Sequence, residues 1–126
     1  MGHRCIVILL ILAAPLSWGE DVWYCVEEHN AGIFPSDSGD AYEVQRFIKE
    51  KFTLKYEEDS NRLRFKSITW EGKEPFYMQC SGCGPIFMIA SSRRKQFNMR
   101  VEDGRFFTGS AHIDSALMTT GTCTKF

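Results

Sequence analysis

Three things are scarce in this 126-residue chain: excess charge of either sign, histidine, and long apolar runs. Lys and Arg number 15 against 16 Asp and Glu. So close a balance leaves no electrostatic footprint for a nucleic acid or an anionic membrane surface. Of the 3 histidines, His29 and His112 lie beyond the first twenty residues and show no paired spacing. A structural zinc site usually takes two close pairs of ligands, so no metal and no cofactor is expected. No internal repeat, low-complexity tract or heptad is present, which argues against a solenoid or a coiled coil.

The single long apolar run lies at the start. Met1-Gly2-His3-Arg4 is a short positive segment, Cys5 to Leu12 (CIVILLIL) is apolar throughout, and Ser17 and Gly19 are small residues at −3 and −1 of a cleavage after Gly19. That order of charge, apolar core and small residues predicts a secretory signal peptide over residues 1–19. The apolar run falls short of the roughly 20 residues needed to span a bilayer. The mature form is then a single β-rich domain, residues 20–126, exported to the periplasm or outside the cell and without a membrane span.

Cleavage removes Cys5 and leaves Cys25, Cys80, Cys83 and Cys123. An even number of cysteines in a short exported chain predicts disulfides, and four allow three connectivities. Position favours Cys25 with Cys123, a closure of 98 residues worth about 4–5 kcal/mol in the loop-entropy model. Cys80 and Cys83 would then pair locally. The alternatives send each of them to one of the terminal cysteines.

Cys80 and Cys83 form a C-x-x-C in "FYMQCSGCGP", a spacing that redox enzymes share. A reactive pair places its first cysteine at a helix N-terminus, where the helix dipole lowers the thiol pKa. The residues that follow, Ile86-Phe87-Met88-Ile89-Ala90, are β-branched and aromatic and predict a strand. The pair is expected to be a structural disulfide flanking a Ser-Gly turn, with a thiol–disulfide oxidoreductase as the alternative.

The remainder is a succession of short strands. "DVWYCVE" (Asp21 to Glu27) sets Val22, Tyr24 and Val26 on one side and Trp23 and Cys25 on the other. Residues 29–40 (HNAGIFPSDSGD) have the composition of a loop. Residues 41–51 fit either a helix or a two-residue alternation, and strand is preferred. Phe52, Leu54 and Tyr56, then Leu63 and Phe65, form the apolar face of a hairpin whose other face is cationic. Two strands follow on either side of the C-x-x-C, and "EDG" predicts a tight turn with Gly104 at positive φ. The pattern predicts an all-β fold: an antiparallel meander of about eight short strands closed as a small barrel or folded as a sandwich, stapled by disulfides.

Few constellations point to chemistry. Ser110, His112, Asp114 and Ser115 hold the residue types of a hydrolase triad. No G-x-S-x-G elbow accompanies them, and neighbours on a strand face opposite ways. They are read as a strand-end cluster. His29 with Glu27 and Glu28 is read as a solvated loop, and Glu57, Glu58 and Asp59 as a surface turn. Arg62, Arg64 and Lys66 with Arg93, Arg94 and Lys95 are the candidate anion- or partner-binding face. The sixteen aromatics of the domain are expected mostly in the core, with some free to line a barrel mouth and hold a small apolar ligand.

The segments "WYC" (Trp23 to Cys25), "KFTLKY" (Lys51 to Tyr56), "GRFFTGS" (Gly104 to Ser110) and "GTCTKF" (Gly121 to Phe126) together resemble small exported proteins of Gram-negative bacteria. That resemblance carries no activity with it. An aromatic-x-Cys ending at Cys25 and a last-strand cysteine at Cys123 also resemble the periplasmic C-type lysozyme-inhibitor barrels. The resemblance implies a barrel and inhibition of an extracellular hydrolase such as lysozyme. "SGCG" and "TGSAH" lack the aromatic and basic neighbours of that family's inhibitory loop, so no site residue carries over. The chain is therefore expected to be a non-enzymatic exported β-domain that binds a protein or a small apolar ligand.

Overall fold

The computed structural model describes residues 21–126; the leader assigned to residues 1–19 lies outside them. Among the described residues there are nine strands and no helix. They are β1 (Val22–Pro35), β2 (Tyr42–Gln45), β3 (Lys51–Glu57), β4 (Arg62–Ser67), β5 (Phe76–Cys83), β6 (Phe87–Ser91), β7 (Lys95–Arg100), β8 (Arg105–Ala111) and β9 (Ala116–Lys125). No described helix is long and apolar enough to cross a membrane.

Strands β3 to β9 pair antiparallel in sequence order. β1 joins β3 on one edge and β9 on the other, from Trp23↔Lys125 to Ile33↔Ala116. This closes an eight-stranded barrel and rules out the sandwich; β2 is an extra strand hydrogen-bonded to the far half of β1. Closure removes the free edges that a meander would otherwise expose.

Period-two alternation fills the interior. Trp23 and Cys25 of β1, Phe52 and Leu54 of β3, Leu63 of β4, and Met78 and Cys80 of β5 are all buried. Met88 and Ala90 of β6, Phe97 and Met99 of β7, Phe106 of β8 and Cys123 of β9 complete the core. Edge-to-face rings link it, with Phe52 and Phe106 centroids 5.5 Å apart and Phe65 and Phe97 5.1 Å apart. Disulfides join Cys25 to Cys123 and Cys80 to Cys83. Gly104 has φ 68° and no room for a side chain, since an added Cβ would lie 1.8 Å from the Cys123 carbonyl oxygen.

The structure corrects four expectations. Residues 29–35 are not a loop: β1 continues through them, because β9 pairs with residues 29–33 and β2 with residues 32–35. That tertiary pairing overrides a turn-like composition. Of the ambiguous segment only residues 42–45 and Lys51, the first residue of β3, are strand. The connection to β3 is instead held by the Asn30 side chain, which accepts from the Phe47 N–H at 2.8 Å and donates to the Phe47 carbonyl at 2.9 Å. Cys80 and Cys83 do not flank a turn; β5 runs through both, with a bulge between Cys80 and Gly82, and the chain reverses at residues 84–86. Finally, most aromatics are not in the core. Trp23, Phe52, Phe97 and Phe106 are buried, whereas Tyr42, Phe47, Trp70, Phe76, Tyr77, Phe87, Phe107 and Phe126 are exposed. A narrow barrel holds few rings, and β2 with its flanks lies outside the enclosed volume.

Candidate functional site

At one end of the barrel the inward positions change character. Glu27 follows Trp23 and Cys25 on the inner side of β1, and Lys95 precedes Phe97 and Met99 on that of β7. Glu50 sits just before β3, and Phe65 and Ser67 end the inner row of β4. Together with Phe52, Phe76, Thr108, Lys73 and Glu74, these residues line a cavity of about 200 Å³. The cavity is smaller than the roughly 300–1,000 Å³ of drug-sized ligand sites, which restricts it to a small molecule. Three phenylalanines form the apolar wall, and charges of both signs form the rim.

The polar groups divide into those already partnered and those left open. Glu27 and Glu50 hold each other. The Glu27 N–H donates to the Glu50 carbonyl at 3.0 Å, and the Glu50 N–H donates to Glu27 Oε2 at 2.8 Å. The Glu50 carboxylate faces Lys73 Nζ at 3.7 Å. Burial pushes the Glu27 carboxyl above its ordinary pKa; the like charge of Glu50 adds to this, and the bond from the Glu50 N–H opposes it. The Lys95 ammonium makes no hydrogen bond or ion pair with another described residue and stands 5.7 Å from the centroid of the Phe76 ring. Burial lowers the Lys95 pKa, while Glu50 and Glu27 work against that shift.

The six basic residues expected on one face are not brought together. Arg62, Arg64 and Lys66 point outward from β4, and β5 and β6 separate that strand from β7. Arg62 donates to Glu57 at 2.7 Å and lies 3.9 Å over the Tyr77 ring. Lys66 donates to the Lys73 carbonyl at 2.7 Å. Arg93 is exposed, and Arg94 contacts His112 Nδ1 at 3.2 Å. Lys95 is turned into the barrel, because it occupies an inward register position two residues before buried Phe97.

The other constellations stay apart. His112 and Ser115 are joined by backbone in the β8–β9 turn, through the His112 N–H and the Ser115 carbonyl at 2.8 Å. The β-bulge after Glu27 puts exposed Glu28 and His29 on the outside, where Thr122 Oγ1 donates to Glu28. No group of three or more His, Cys, Asp or Glu among the described residues is placed to hold a metal ion. Cys80 and Cys83 are disulfide-bonded within a strand, with no helix terminus to activate a thiol.

Sequence reasoning read the mouth residue Glu27 as solvated, whereas it is half-buried, and overlooked Glu50, Lys73 and Glu74. A signal for one was present: an ionisable residue continuing the inward row Trp23, Cys25, Glu27 at the end of its buried part. Glu50, Lys73 and Glu74 lie in irregular connections, where no periodicity marks direction.

Fold and site together define a small closed antiparallel barrel with two disulfides, open at one end into a phenylalanine-walled cavity of mixed charge. Compared with protein-family models, curated proteins and solved structures, the chain matches none of them.

Proposed function

We propose that this protein is an exported, non-enzymatic β-barrel domain that binds a small apolar ligand at the barrel mouth. The observation that carries this reading is the cavity walled by Phe52, Phe65 and Phe76 at the end of an otherwise filled interior. Burying an apolar group there releases it from water at about 25 cal/mol per Å² of apolar surface. Export is supported by the signal-like segment over residues 1–19 and by two disulfides, which form and persist in oxidising compartments.

The test is titration of the purified, oxidised protein with benzyl alcohol, followed by two-dimensional NMR. Saturable shifts are expected at Phe52, Phe65, Phe76 and Thr108. Phe76 is 40% exposed, so Phe76→Ala removes part of the wall without emptying the core. It is expected to weaken binding by about fivefold or more, as loss of a partly buried aromatic contact would. Shifts confined to the outer surface, or none at saturating probe, would overturn the reading.

A further inference from the structure

The mouth offers more than an apolar wall, and its charges restrict what can enter. Its lining carries two cations, Lys73 and Lys95, and three carboxylates, Glu27, Glu50 and Glu74. Lys73 and Glu50 are paired, and Glu27 accepts the Glu50 N–H. Two opposite charges then remain with no hydrogen bond or ion pair, although Glu50 and Glu27 attract Lys95 from a distance. Half-buried Lys95 has three N–H donors and no acceptor among the described residues, and exposed Glu74 makes no hydrogen bond or ion pair with any of them. The rings of Phe52, Phe65 and Phe76 line the same cavity.

A singly charged ligand fits this arrangement poorly. An apolar carboxylate would satisfy Lys95 but bring a further negative charge among three glutamates. An apolar amine would satisfy Glu74 but leave the Lys95 donors open and add to two cations. Half-buried Lys95 loses hydration under any ligand that does not accept from it, and a ligand that also carries a cation offsets the surrounding glutamates, so the preferred ligand supplies both signs. Resting on the mouth-binding reading above, we infer that the ligand is a small zwitterion with an apolar side chain, of the class of a free aromatic or aliphatic amino acid. Its carboxylate accepts from Lys95, its ammonium donates to Glu74, and its side chain packs on the phenylalanines.

Four phenyl-bearing probes separate the possibilities by calorimetry: L-phenylalanine, 3-phenylpropanoate, 2-phenylethylamine and benzyl alcohol. L-Phenylalanine is expected to bind at least about tenfold more tightly than either singly charged analogue, since it alone makes both charge-assisted bonds. Lys95→Met is expected to remove about tenfold of that affinity and a smaller share of the affinity for benzyl alcohol, which brings no carboxylate. Glu74→Gln, on the exposed rim, is expected to weaken L-phenylalanine and not 3-phenylpropanoate. A singly charged analogue that matches or exceeds L-phenylalanine overturns the zwitterion. Benzyl alcohol binding without preference for any charged form overturns it too but leaves mouth binding standing. No binding by all four probes overturns both.

Discussion

Cys25 lies directly opposite Cys123 in the β1–β9 register, and the disulfide between them crosses the seam at which the barrel closes. The two residues are 98 positions apart, so the bond constrains nearly the whole unfolded domain. Cys25→Ala with Cys123→Ala is expected to cost about 4–5 kcal/mol by the loop-entropy relation, against about 2 kcal/mol for the short Cys80–Cys83 loop. Urea unfolding of the two double variants measures both. Equal losses would contradict the account of the seam.

The same two bonds differ in access. Cys25 and Cys123 are 0% and 3% exposed, whereas Cys83 is half-buried beside a surface bulge. Under limiting reductant the Cys80–Cys83 bond is expected to open first, because exchange requires a thiolate to reach the sulfur. Alkylation and peptide mass mapping read the order. Prior reduction of Cys25–Cys123 would contradict it.

Gly104 is the tightest backbone position at the β7–β8 turn. Gly104→Ala would set a Cβ against the Cys123 carbonyl at a positive φ, and is expected to cost more than about 2 kcal/mol. Gly84→Ala, where an added Cβ meets nothing within 4 Å, is expected to stay within about 1 kcal/mol of the parent. Thermal and chemical unfolding of the pair check the contrast.

Burial raises the Glu27 carboxyl above its ordinary value of 4.5. A folded chain that holds this proton more tightly than the unfolded one gains stability from it below the ordinary value. That gain is lost as pH rises through the raised folded value. Glu27→Gln removes the titration and keeps an oxygen for the Glu50 N–H. The variant is therefore expected to gain on the parent in unfolding free energy as pH rises from about 4 to about 7. A constant difference across that range would contradict the assignment.

Asp103 is exposed and titrates in the opposite sense. The hydrogen bonds from Arg100, aided by the Arg105 N–H at 3.1 Å, hold its carboxyl at about 2. NMR titration of the side-chain carbon is expected to show that midpoint in the parent. Arg100→Gln is expected to return it toward the ordinary 3.8. An unchanged midpoint in the variant would show that another group depresses it.

Much of the barrel was legible in the chain. Trp23 with Cys25, Phe52 with Leu54, and Phe97 with Met99 each announce an inward face at a spacing of two, and "EDG" announces the Gly104 turn. The site was less legible. Glu27 and Lys95 stand on the same inward rows as buried residues. A charged residue next to an apolar row reads equally well as the point where a strand leaves the core. Arg93, Arg94 and Lys95 look like one basic run, yet the strand that begins at Lys95 turns its side chain away from its neighbours.

Local chemistry by itself determined the strand-rich character, the alternation and the positive-φ turn, because each depends on residues a few positions apart. Tertiary structure alone decided that the meander closes, since closure depends on β1 meeting β9 across almost the full length of the domain. It also decided that residues 29–35 extend β1 instead of looping, because β9 pairs with residues 29–33 and β2 with residues 32–35. The mouth is the clearest case. Glu27, Glu50, Glu74 and Lys95 come from four separate segments, and they share one cavity because the closed barrel brings those segments to the same end.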